Sequence, residues 1–181
     1  MPNNVIEQVL GTDIRKDVFN TADPGPITAA AMHDLVSWYN PLIGNYPWCL
    51  AVVSEFVFRF LAIHPFQDGN GRLGRGLWLL GILQSSDDNL KTIAPYIAVD
   101  RHIEQHKEEY YLVLRQCSKG RFEQDPRKYQ LQFFLRFMLK MMKEALTHDI
   151  VYYSNRYQAF AQLADAPRKI LVVLGIIQNT N

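Results

Sequence analysis

Twelve residues, HPFQDGNGRLGR at positions 64–75, break into two strongly apolar runs, 48–63 and 72–84. A polar stretch set in a core must find partners for its main-chain and side-chain groups. This one therefore constrains the fold more than any other part of the chain. The first run, WCLAVVSEFVFRFLAI, is interrupted only by Ser54, Glu55 and Arg59, as expected of a helix packed on most of its sides. It is too long for one strand and holds no turn signal. The second run carries Gly74, Gly76 and Gly81, which would let another element come close. Two core helices back to back, joined by the polar stretch, are the expected centre of the fold. Asp-Gly and Asn-Gly could serve simply as a tight turn, with the arginines exposed on the next helix.

The spacing supports a more specific reading. If the second helix starts near Gly69 to Gly71, its first turn has unpaired N–H groups, and glycines there let a phosphate approach the backbone. Arg72 and Arg75, three residues apart, share a helix face and can reach further phosphate oxygens. Asp68 suits Mg2+ held by one carboxylate plus phosphate oxygens. His64, at the end of the first helix, can take a proton near neutral pH. A base, a metal carboxylate, an anion nest and two cationic clamps describe phosphate-ester transfer to a hydroxyl supplied by a second substrate.

Elsewhere the patterns are plainer. Residues 1–26 are irregular, with the breaker-rich NTADPGP at 20–26 and a short extended piece at Arg15 to Phe19. A helix is expected from Ile27, closed by Asn40-Pro41, with Pro47 in the first turn of the next. Ile103, His106, Tyr110, Val113, Leu114 and Cys117 fall at helical spacing, as do Phe134, Phe137, Met138, Met141 and Ala145. Both sets read as core-facing stripes. The histidines of His102-Ile-Glu-Gln-His106 are four apart, yet no Glu follows the first His and no third ligand is evident, so they read as structural or surface residues. His33 and His148 read as solvated or capping.

At 181 residues, 48% hydrophobic and 20% charged, the chain is expected to be a folded unit of about one domain. A net charge of +1 argues against a phosphate-binding footprint for nucleic acid over the whole surface. Cys49 and Cys117 are too few for a disulfide framework or a Cys-rich zinc site, which fits a reducing compartment. With no apolar stretch of membrane-spanning length and no export signal, the expectation is a soluble, cytoplasmic protein.

Positions 64–75 resemble the signature of the Fic domain family: His-Pro-Phe, any residue, Asp or Glu, Gly-Asn-Gly-Arg, two residues, Arg. All nine specified positions within the twelve are matched. The resemblance implies an all-α helical bundle with a short β-hairpin flap, and transfer of AMP from ATP to a Ser, Thr or Tyr hydroxyl of a target protein. It implies His64 as the catalytic base, Asp68 as the Mg2+ ligand, and Gly69, Asn70, Gly71, Arg72 and Arg75 as phosphate-binding residues. Tyr110 and Tyr111 would lie near the nucleotide, with Ser118 where some members have Asn. Asp13 to Phe19 would be the flap, with Arg15, Lys16, Asp17 and Val18 holding the target. The implied organisation is a flap segment (1–26), a catalytic core (27–150) and a C-terminal helical segment (151–181). In the last, APRKILVVLGII would open a winged helix that is cut short.

Gly71 argues against the phosphorylating Doc-type members, which have Lys there. The inhibitory pattern of many members, Ser or Thr, three residues, then Glu and Gly or Asn, does not occur in residues 1–181. An inhibitory segment or partner chain could supply it. Three readings stand: a protein adenylyltransferase; a nucleotide-binding regulatory module with little activity alone; and a related enzyme with another phosphate-linked donor or de-AMPylation activity. No nucleic acid or membrane is expected to contact the core.

Overall fold

The computed structural model describes residues 5–10 and 14–173. It is an all-α bundle with one antiparallel hairpin, β1 (Val5–Leu10) and β2 (Ile14–Asn20). Seven α-helices follow: α1 Pro26–Ile43, α2 Cys49–Ile63, α3 Asn70–Gln84, α4 Asp88–Ile93, α5 Val99–Gln105, α6 Lys107–Ser118 and α7 Gln132–Val173. Among the described residues, no helix is long and apolar enough to cross a membrane.

The central position of α2 follows from its composition. Twelve of its 15 residues are buried, including Phe58, Phe60, Leu61 and Ile63, and α1, α3 and α7 pack around it. Arg59 escapes the usual cost of a buried cation: it pairs with Glu55 at 3.4 Å and lies over the Trp38 ring, 4.9 Å from its centroid. The packing of α3 on α2 needs two of the four glycines in α3. A Cβ at Gly81 would lie 2.7 Å from Val53, and one at Gly74 would lie 3.2 Å from Leu61. Gly76 has no such neighbour.

The boundaries differ from expectation where tertiary contacts intervene. α1 runs through Pro41 to Ile43, although Pro41 cannot donate to the carbonyl four residues before it; the Asn45 side chain donates to the Pro41 carbonyl at 3.0 Å and closes this end. Pro47 precedes α2 rather than entering it, since Trp48 is the N-cap. The stripe expected to form one helix over 103–117 is divided at His106, whose φ of −109° and ψ of 31° break the backbone between α5 and α6. The short helix α4, unforeseen, is nucleated by the Asp87 carboxylate accepting the Leu90 N–H at 3.0 Å.

The stripe Phe134, Phe137, Met138, Met141 and Ala145 is buried along one face of α7 as expected. That helix continues unbroken through 150 and 151, so the expected division there is not a break in secondary structure. Residues 166–173 extend it instead of starting a new helix, and 174–181 lie outside the described residues.

The hairpin is tied to the bundle at the end of β2. Asn20 donates to Gly120 O at 2.8 Å and accepts from the Phe122 N–H at 2.7 Å. A bulge beside Ile6 and Glu7 pairs Ile6 with Phe19 and Glu7 with Asp17, leaving Val18 unpaired. The extra residue breaks the strand alternation, and consecutive Val18 and Phe19 both turn into the core, 6% and 2% exposed.

Candidate active site

The backbone at the joint of α2 and α3 is unusual at both ends. His64, the C-cap of α2, adopts a left-handed conformation with φ 57°, one of two described non-glycine residues at positive φ. His tolerates this region better than most side chains. Gly69, the N-cap of α3, has φ 85°, where a Cβ would be disfavoured. Between them the loop is held by Asn70, 2% exposed. Its side-chain amide donates to Phe66 O at 2.6 Å and accepts the Phe66 N–H at 3.1 Å. Asn70 therefore closes the loop with its side chain, and only its main-chain N–H is left for an anion.

The His64 ring is half-buried, with Nδ1 3.4 Å from the Leu61 carbonyl oxygen. A carbonyl only accepts, so this contact puts the proton on Nδ1 and leaves the Nε2 lone pair available. Burial pulls the pKa of the ring below its ordinary value, and the Leu61 contact opposes this in part. The imidazole is neutral at pH 7, as a general base requires.

Ahead of α3, Asp68 is exposed; one oxygen accepts the Gly69 N–H at 2.6 Å and the other the Arg72 guanidinium at 3.0 Å. The N-cap glycine has no capping side chain, so the N–H groups of Asn70, Gly71 and Arg72 have no intrahelical acceptor. Both arginines fold back over this turn. A guanidinium nitrogen of Arg72 lies 3.7 Å from the Cβ position of Gly69, and one of Arg75 lies 3.8 Å from that of Gly71. Three unpaired amides, a helix dipole and two guanidiniums thus lie at one helix end, an arrangement suited to cradling an anion. Mg2+ fits beside it: two of the lone-pair sites on Asp68 are used, and a carboxylate has about four. Among the described residues no cluster of three acidic, His or Cys side chains is arranged for a metal. The cation would take its other ligands from phosphate and water, as Mg2+ does readily.

The remaining expected residues divide. The Tyr110 ring packs on Phe137, Phe134 and Tyr111 at centroid distances of 5.8, 6.3 and 5.7 Å, so it is largely a core side chain. Burial raises its hydroxyl pKa, and the nearby charge of Arg75 lowers it in part. Tyr111 is half-buried. Ser118 is buried and its Oγ donates to Arg121 O at 2.6 Å, so its hydroxyl is already engaged. Arg15, Lys16 and Asp17 lie on β2 opposite Val9, Gln8 and Glu7, and Asp17 is exposed. The expectation that Val18 faces a target is corrected, because the bulge turns its side chain into the core. Asp13 lies outside the described residues.

His102 and His106 are structural, as expected. His106 Nε2 lies 2.9 Å from Glu144, and His102 Nε2 lies 3.4 Å from the fully buried Asp149. Asp149 also accepts the Ala98 N–H at 2.7 Å and the Arg101 guanidinium. The composition of the sequence carried no signal for this network, whose partners lie some 40 or 50 residues apart.

Fold and site together define a helical domain that presents a neutral histidine to an arginine-flanked helix N-terminus. A sequence model of the Fic/DOC family matches residues 6–80 of the chain. Its fold is similar to that of a Fic family protein from Desulfovibrio desulfuricans G20, with a TM-score of 0.59, 26% identity and 81% of this chain covered. It also resembles a Fic domain containing signaling protein from Bacteroides thetaiotaomicron VPI-5482, with a TM-score of 0.55, 22% identity and 80% covered. The likeness to the second is one of fold. The chain spans 39% and 51% of the length of these two proteins.

Proposed function

We propose that this protein is an adenylyltransferase that moves AMP from ATP to a Ser, Thr or Tyr hydroxyl of a target protein. The observation that carries this reading is the placement of a neutral imidazole, its Nε2 free, in the same loop as a helix N-terminus covered by two guanidiniums. His64 accepts the hydroxyl proton at Nε2 as the oxygen bonds to the α-phosphorus. The bond from that phosphorus to the bridging oxygen breaks, and pyrophosphate leaves. The amides of Asn70, Gly71 and Arg72 stabilise the charge on the transferring phosphate, and Arg72 and Arg75 hold the departing phosphates. Asp68 would hold Mg2+, which when bound supplies charge neutralisation on the phosphates. For Arg72 to reach phosphate it must leave Asp68, an exposed pair of small strength. The backbone of Arg15 to Asp17 on β2 would present the target as an added strand.

The test is incubation of the protein with Mg2+, ATP labelled at the α-phosphate and cell lysate, beside the His64→Ala variant. A labelled protein that is lost with the variant supports the reading. Label that persists with His64→Ala removes the base from the mechanism, and ATP binding with no label points to a regulatory module.

A further inference from the structure

A cavity of about 350 Å3 lies between α3 and the segment that leads into α5. Its size is at the lower end of small-molecule pockets, which run from about 300 to 1,000 Å3. Two independent features of its wall are unexplained by packing. Trp78 is 3% exposed, yet its indole Nε1 is the one buried side-chain nitrogen or oxygen among the described residues without a hydrogen-bond partner. A buried N–H left unpaired is destabilising and calls for an acceptor. Gly76, also on the wall, stands inside a helix, where glycine is weaker than alanine. Gly74 and Gly81 are required by the approach of Leu61 and Val53, whereas a Cβ at Gly76 would meet nothing within 4 Å. A side chain at position 76 would therefore find open space beside the cavity that this residue lines.

The chemistry of the lining defines what fits. Leu79, Ile97 and Val99 offer apolar surface for a flat body, Arg75 and Arg72 offer cations, and Asp100 offers a carboxylate. We propose that this cavity binds a small, flat organic anion. Its anionic head lies on the arginines, its ring lies against the apolar wall, an acceptor atom takes the Trp78 N–H, and a donor group meets Asp100. A nucleoside monophosphate and an amino-substituted aromatic carboxylate share this chemistry. Because Arg72 and Arg75 also face the first turn of α3, a ligand in the cavity competes with an anion in the cradle. The proposal shares Arg72 and Arg75 with AMP transfer, and is told apart from it by Trp78, Gly76 and the apolar wall, none of which the transfer step uses.

The experiment follows the indole N–H resonances of the 15N-labelled full chain, which has three tryptophans. The Trp78 signal is identified by its loss in Trp78→Phe. AMP and 4-aminobenzoate are titrated separately, with adenosine and inorganic phosphate as half-ligand controls. We expect a saturable downfield shift of Trp78 with one or both of the full probes, and little change at Trp38 and Trp48. Which probe acts names the source of the ligand. Asp100→Asn should weaken binding about tenfold, the loss of one charge-assisted contact. Gly76→Leu should abolish the shift while raising thermal stability, a combination that a purely structural cavity does not predict. An unmoved Trp78 signal with both probes at millimolar concentration overturns the proposal, as does a shift that survives Gly76→Leu. AMP that moves the amides of Asn70 to Arg72 and leaves Trp78 unmoved also overturns it, while leaving the cradle intact.

Discussion

His64 and His102 both stand beside helix α3 or its neighbours, yet their surroundings are opposite in kind. His102 is enclosed by protein partners: Asp149 at 3.4 Å and Glu144 at 3.9 Å, with Asp149 itself satisfied by Ala98 and Arg101. His64 has one long contact to a carbonyl, and around it the amides of the first α3 turn and the two guanidiniums have valences left over. A network closed on itself ties α5 to α7, whereas groups left open await a ligand. The number of histidines in a region says little about its role. What their partners leave free says more.

The largest expected effect separates the two histidines by activity. His64→Ala should reduce AMP transfer by about 10²- to 10⁴-fold, the usual reach of a general base, with a smaller loss of thermal stability than His102→Gln causes. His102→Gln should leave the transfer rate within a few fold and lower the melting temperature. Reversal of that pattern in labelled-ATP assays and melting curves would break the comparison.

The closed network should respond to loss of its centre. Asp149→Ala removes the acceptor for Ala98, Arg101 and His102, and should destabilise the fold by about 2 to 3 kcal/mol, since buried partners are left unpaired. Urea unfolding measures this. A change under 0.5 kcal/mol would mean that the network contributes nothing to the docking of α7.

A smaller effect is expected from Asn70→Ala, which frees both polar groups of Phe66. It should lower stability by about 1 to 2 kcal/mol and transfer more than binding of inorganic triphosphate, because the loop rather than the cradle loosens. Equal loss of both would assign Asn70 to the anion site itself.

The subtlest difference concerns pH. Burial holds the His64 pKa below its ordinary value, so the unfolded chain takes up the proton first as pH falls. The stability due to the neutral ring is complete above about pH 6.5 and is lost as pH falls through and below that value. In the transfer rate the acid limb should have its midpoint below pH 6.5 and a plateau at pH 7. A His64 ring resonance that titrates above pH 7 would contradict the neutral base.

Much of this molecule was legible in the order of its residues. The apolar run 48–63, the glycine-rich break and the stripe from Phe134 to Ala145 are local patterns, and local backbone geometry turns such patterns into helices and a loop. The start of α3 at Asn70 and the left-handed Gly69 also follow from short-range chemistry. The resemblance places Val18 with the target-holding residues, whereas its burial comes from a bulge, which is a property of the pair of strands. Tyr110 was assigned to the nucleotide, but its ring also serves the core of α7.

The sequence by itself determined the chemistry of the 64–75 loop, since its groups lie within twelve residues and one helix start brings them together. Only the tertiary structure decided which of those groups remain free. Asn70 is drawn to Phe66, Asp68 to Arg72, and His64 toward Leu61. It also decided that Gly74 and Gly81 meet α2 while Gly76 faces open space. The physical reason is range: a helix start depends on neighbours within one turn, whereas partners and cavities depend on side chains that only packing brings into contact.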